Sequence, residues 1–221
     1  PDTRLAGRRV WIFAVKPQHM KETVLSCRPF IQPETLVVSI AAGITGTTIA
    51  GWLGTPERPW LRAVRCMPNT PALIGEGITG MMALSGVSED DKALAQQLLR
   101  AVGEVVWVDS DQALDAVTAL SGSGPAYVLL VLEALIQGAR KLGLSDQQSR
   151  QLALATLHGS TQLAALSPES PATLRERVTS KGGTTAAALA VFEQHQFAAV
   201  VGQAMLAASD RAAELAAEYA K

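Results

Sequence analysis

The chain has 221 residues, 48% of them hydrophobic and 18% charged, with a formal net charge of -1. These figures describe a globular protein with room for a core and for one or two domains. No run of Lys or Arg leaves the footprint of a nucleic-acid or anionic-membrane surface, so neither partner is expected.

Pro1–Arg9 is polar and lacks the apolar core of a secretory signal. The chain opens without an initiator methionine and reaches a strand almost at once, which reads as a fragment. Val10–Val15 has the β-branched, apolar texture of a buried strand, and Pro17 opens a helix to about Arg28. Leu36–Ala42 is a second strand, with Gly43 and Thr45 starting the next helix. Arg62–Met67 and Ile78–Leu84 are the third and fourth strands. Ser88 caps a helix to about Val102, with Asp90 and Asp91 in its first turn, and Glu104–Val108 is a fifth strand. Strand–helix alternation of this kind predicts a parallel, doubly wound α/β sheet over residues 1–109.

From residue 110 to 221 strand signals disappear, and an all-helical domain is expected. Asp111–Leu120 reads as a short helix. Pro125 occupies the first turn of a longer one that runs to about Leu142, with the Ser and Gly before it as caps. Ser145 caps a helix through about Leu166, Glu169–Arg177 and Thr184–Glu193 are shorter, and Gln196–Tyr219 closes the chain. In that last helix Phe197, Val201, Ala204, Ala208, Ala212, Leu215 and Tyr219 recur at helical spacing as one apolar face. The segment Ala126–Ile136 is apolar nearly all round; it is read as too short to span a bilayer and so as buried. Burying it on every side is hard within one small helical domain, which favours a dimer over a monomeric bundle.

Four segments have the makings of a ligand site. Ala14-Val15-Lys16-Pro17, Ala41-Ala42-Gly43-Ile44-Thr45 and Met67-Pro68-Asn69-Thr70-Pro71 each follow a strand, where ligands of doubly wound sheets bind. Taken alone the first two are weak signals, a structural turn explaining each, and the third is equally a structural turn. Thr179-Ser180-Lys181-Gly182-Gly183-Thr184-Thr185 opens a helix with glycines and hydroxyls, which suits an anion better than simple capping does. Ser121-Gly122-Ser123-Gly124-Pro125 has similar chemistry, but capping and close packing explain most of it. No Gly-x-Gly-x-x-Gly follows any strand. His19, His158 and His195 form no ligand pair, so no metal is expected; Cys27 and Cys66 read as reduced, buried thiols of a cytoplasmic protein.

Together these segments resemble the pyrroline-5-carboxylate reductase family. The run Pro171–Leu189, with its Gly-Gly-x-Thr core, looks like the family signature; 14–18, 39–45, 67–71 and 120–127 match in the family's order. The resemblance covers essentially the whole chain, although Lys181 stands where many relatives have proline. It implies a doubly wound Rossmann-like domain, here without its first strand and Gly-x-Gly loop, followed by an all-α dimerisation domain. It implies reduction of 1-pyrroline-5-carboxylate to L-proline, with NADPH or NADH as cofactor. Ala14, Val15, Lys16, Pro17, Ala42, Gly43 and Asn69 are then expected at the cofactor. Ser180, Gly182, Gly183, Thr184 and Thr185 are expected at the substrate carboxylate, with Glu169 the nearest acidic residue. Thr185 and Lys16 are the catalytic candidates. Relatives form interlocked homodimers with the active site between the sheet domain of one chain and the dimer's helices, and these often build into decamers. Two other readings compete: a non-catalytic dimerising fragment, and a hydroxyacid dehydrogenase of similar architecture. The absence of lysine from Ala126–Gln137 counts against the second.

Overall fold

A computed structural model describes residues 1–220. Five strands form one sheet in the order β1-β2-β3-β4-β5: β1 Val10–Phe13, β2 Leu36–Ser39, β3 Ala63–Met67, β4 Gly77–Ala83 and β5 Gly103–Trp107. Helices α1 (Pro17–Cys27) and α2 (Gly46–Leu53) link the first three strands, which pair in parallel. The fourth strand departs from the parallel expectation, because β4 runs antiparallel to β3. Residues 68–76 between them hold a single 3₁₀ turn, too short for the crossover that a parallel partner needs. Helix α3 (Glu89–Arg100) supplies such a crossover, and β5 returns parallel to β4. The sheet is therefore mixed, with helices on both faces.

Alternation along the strands builds the two cores. Trp11, Phe13, Val37 and Ala63 face α1 and α2, where Met20, Val24, Ile49 and Leu53 close over them. Leu36, Val38, Val64, Cys66 and Met81 face the other way, with Ala95 of α3. Helix ends follow sequence chemistry. Thr45, Ser88, Ser110, Ser145 and Ser170 each accept a backbone N–H at the start of their helix, and Ser145 with Gln148 completes a capping box.

Helices α4 (Asp111–Val117), α5 (Gly124–Lys141), α6 (Asp146–Leu166), α7 (Pro171–Arg177), α8 (Thr184–Gln194) and α9 (Phe197–Tyr219) make up the rest. A π turn over Thr118–Gly122 leads to the start of α5, with Pro125 in its first turn as expected; Ser123 lies in helical backbone conformation and not in that of a cap, so the capping role given to it is corrected. The Ser123 N–H bonds Thr118 O at 2.9 Å, five residues back. Proline has no N–H for the carbonyl four residues before it, and this register shift takes up the mismatch. Helical structure thus runs from Asp111 to Lys141 with one bend, long and apolar enough by length and composition alone to cross a bilayer. That corrects the reading of the stretch as too short.

The chain divides into two compact units. One is Pro1–Pro125 with Met205–Lys221, the other Ala126–Ala204. The sequence boundary at 109/110 lies just before α4, while the first unit also takes in α4 and the end of α9. In that end Ala212 is buried, and Tyr219 packs on the α1–α2 core. The second unit buries very little. Only Ser149 and Ala153 are buried there among the described residues, whereas Leu129, Leu130, Leu163 and Leu166 are each more than half exposed. Within one chain, then, Ala126–Ile136 is not a buried helix; its apolar face is open.

Candidate functional site

Because β1, β2 and β3 are parallel neighbours, their carboxyl ends lie along one edge of the sheet, and the three post-strand segments follow one another there. At β1, Ala14 is exposed, Val15 packs on the core, and Lys16 is the exposed N-cap residue of α1 with Pro17 following. Lys16 makes no side-chain cap, and the first turn of α1 carries no acidic residue. At β2 the chain turns through Gly43, whose φ of 71° suits glycine. A Cβ there would lie 3.1 Å from Leu215 Cβ, so the last turns of α9 close the back of this turn. At β3, Asn69 Oδ1 accepts the Ile78 N–H at 2.9 Å, which ties the turn to the start of β4. The structural role weighed for Asn69 is present, and its amide nitrogen is left for other use.

Two further parts of this edge escape a reading of the sequence. The first is the π turn. Gly122 lies against Met67 at the end of β3, since a Cβ on Gly122 would come within 2.5 Å of Met67 Cε. The Ser-Gly-Ser-Gly-Pro segment thus reaches the same edge, and its glycine signals close packing. The second is Arg65, buried in the middle of β3 and paired with Asp111. Asp111 Oδ1 also accepts the Gly46 N–H at the start of α2, at 3.2 Å. A strand pattern flags an arginine there only as unusual, and its partner lies 46 residues away. Asp115, one turn further along α4, has its carboxyl raised above the ordinary 3.8 by burial, against the pull of Arg65.

In the helical unit, the loop between α7 and α8 is held by its own backbone. Gly183 N–H donates to Ser180 O at 3.0 Å, Thr179 Oγ1 donates to Arg175 O at 2.6 Å, and Gly182 turns at φ 72°. The N-cap residue of α8 is Gly183, with no side-chain cap, so Thr184 does not cap the helix. The first amides of α8, at Thr184 and Thr185, stand at a helix N-terminus without the hydroxyl that covers α2, α3, α4, α6 and α7. Glu169 is paired within this segment. It pairs with Arg177 at the far end of α7, at 2.5 Å, and clamps the helix that leads into the loop. No group of three His, Cys, Asp or Glu side chains gathers among the described residues as a metal would need.

Residues 111–215 match the profile of the pyrroline-5-carboxylate reductase dimerisation domain. The chain is 48% identical over 212 residues to a pyrroline-5-carboxylate reductase of Pseudomonas aeruginosa, covering 96% of this chain and 76% of that one. It is 42% identical over 207 residues to the enzyme of Haemophilus influenzae, covering 93% and 75%. Among solved structures, a pyrroline-5-carboxylate reductase from Coxiella burnetii superposes with a TM-score of 0.88 at 39% identity, covering 97% of this chain and 79% of that one. The Plasmodium falciparum enzyme with NADP bound gives 0.88 at 30% identity, covering 96% and 79%.

Proposed function

Because the chain belongs to the pyrroline-5-carboxylate reductase family, we propose that its two candidate regions divide the work of that reaction between cofactor and substrate. The reaction reduces 1-pyrroline-5-carboxylate to L-proline with NAD(P)H, the last step of proline biosynthesis. In this reading residues 1–109 hold the cofactor, and 110–221 carry dimerisation and substrate binding.

Ala14, Val15, Lys16 and Pro17, with Ala42, Gly43 and Asn69, hold the nicotinamide dinucleotide, NADPH or NADH. The fit is chemical. The edge offers small side chains, a glycine turn and a free carboxamide nitrogen, so a flat ligand can lie against backbone. When bound, the nicotinamide supplies a hydride to the ring carbon bonded to nitrogen. The rest falls to the chain's own groups. The amides of Thr184 and Thr185 at the start of α8 take the substrate carboxylate, where the helix dipole favours an anion. Ser180, Gly182 and Gly183 shape that cradle, and Glu169 supports it through Arg177. The Thr185 hydroxyl sits at the ring nitrogen, and Lys16 adds positive charge on the cofactor side. A protonated cyclic imine already accepts hydride well, so orientation supplies much of the catalysis.

The observation that carries this reading is the N-terminus of α8, which like that of α1 has no side-chain cap, whereas five other helices are capped by hydroxyls. The test is oxidation of NADPH, and separately of NADH, with pyrroline-5-carboxylate by the protein and by Thr185→Ala. Imine-dependent oxidation that the substitution lowers is the expected result. Equal rates for the two proteins would remove the Thr185 hydroxyl from the mechanism.

The functional assembly is a homodimer, which can associate further to a decamer. The open apolar faces of α5 and α6 support it, because a second copy covers surface that one chain leaves to water. A cytoplasmic location fits Cys27 and Cys66, both buried and unpaired.

A further inference from the structure

Arg65 is withdrawn from water in the middle of β3, where an apolar side chain would fit between Val64 and Cys66 without cost in charge. Replacing a buried ion pair with apolar groups is often neutral or stabilising, so such a pair is weak evidence of stabilisation. What an ion pair adds is direction. Here Arg65 Nη1 donates to Asp111 Oδ1, and the same oxygen accepts the Gly46 N–H at 3.2 Å. One carboxylate therefore joins β3, the first residue of α2 and the first residue of α4. Gly46 lies three residues beyond Gly43. Arg65 lies four before Asn69. Gly46 packs closely under β4, since a Cβ would stand 2.5 Å from Leu84 Cδ2, so a side chain there would push the end of Leu84 aside.

We infer that the Arg65–Asp111 pair, with the Gly46 amide, positions the Ala42–Gly43 turn and the Asn69 turn relative to each other, and so sets how tightly the cofactor is held. Neither residue touches the cofactor; both act through the turns. The inference rests on the cofactor reading of those turns.

The test is steady-state kinetics on the double variant Arg65→Met/Asp111→Ala, which removes both charges and leaves neither one buried alone. The expected result is a cooperatively folded protein whose KM for NADPH rises about tenfold, with kcat and the KM for the imine within about twofold. A purely structural role would move stability and leave this split absent, so wild-type kinetics in a folded double variant overturns the inference. If the double variant does not fold, Arg65→Lys decides. It keeps the charge but loses the planar fork, and it is expected to raise the NADPH KM by a smaller factor; unchanged kinetics there also overturns the inference. Ala42→Val separates this from failure of the cofactor reading. If Ala42→Val leaves the NADPH KM unchanged, the turn does not hold cofactor and both readings fall. If it raises that KM while the double variant does not, only the positioning inference falls.

Discussion

Arg62, immediately before β3, grips Asp91 in the first turn of α3 through two hydrogen bonds, Nε to Oδ2 at 2.7 Å and Nη2 to Oδ1 at 2.8 Å. Asp91 is buried, and Arg62 is partly so. The Arg62 guanidinium holds the Asp91 carboxyl below its ordinary value of 3.8, against the opposing effect of burial. A depressed carboxyl contributes stability that is present above its unfolded value and is lost as pH falls through its folded one. Asp91→Asn is therefore expected to cost about 1.5–3 kcal/mol near neutral pH, since the carboxamide loses the charge and one of the two bonds to the guanidinium. The difference from wild type should shrink in acid, below pH 3.8. Urea unfolding of both proteins across that range measures it, and a pH-independent difference would contradict the assignment.

Asp115 presents the opposite sign. Burial raises its carboxyl above 3.8, so the folded state holds the proton more tightly than the unfolded chain does. Its charged form costs stability above the raised folded value, and that cost vanishes below the unfolded one. Asp115→Asn should therefore raise the melting temperature near pH 7 and give no gain in acid. A loss of stability at neutral pH would show that attraction to Arg65 outweighs burial.

The sequence makes some of this legible and hides the rest for physical reasons. Strands β1 and β2 announce themselves as apolar runs with β-branched residues between Gly and Pro, and the hydroxyl caps at Thr45, Ser88 and Ser145 are local signals. The orientation of β4 is not a property of its own residues; it follows from how little chain, 68–76, is available to return. Pro125 does stand in the first turn of α5, as its residue type suggests, but the π turn just before it shows only in the Ser123 to Thr118 bond. Glu169 lies near the loop before α8 in sequence, but its pairing with Arg177 across α7 has no signal there. The Arg65–Asp111 pair is beyond reach because ion-pair partners follow no periodicity across 46 residues.

The loop before α8 can be tested without touching its hydroxyls. Gly182 adopts φ 72°, and no atom lies within 4 Å of the place a Cβ would take, so a β-branched residue there strains the backbone alone. Gly182→Val is expected to cost about 1–2 kcal/mol locally and to turn the first amides of α8 out of place. The KM for pyrroline-5-carboxylate should rise and the KM for NADPH should not. A rise in both, or in neither, would separate this loop from the carboxylate.

The open face of α5 gives the last prediction. Val128, Leu129 and Leu130 are each more than half exposed in one chain, and the helical unit around them buries almost nothing of its own. A solvated surface position tolerates most substitutions with little effect. A charge placed in a covered apolar face is instead stripped of water without a partner. Leu130→Glu should therefore convert the oligomer to monomers in sedimentation experiments and abolish imine-dependent NADPH oxidation, while the sheet unit keeps its near-ultraviolet signal from Trp11 and Trp107. The length and apolar character of Asp111–Lys141 offer a bilayer as the competing cover. Flotation of the wild-type protein with lipid vesicles decides between the two. A protein that stays with the aqueous phase as an oligomer, and that the charge dissociates, has its own second copy as the cover. A protein that floats with the vesicles and shows no oligomer does not.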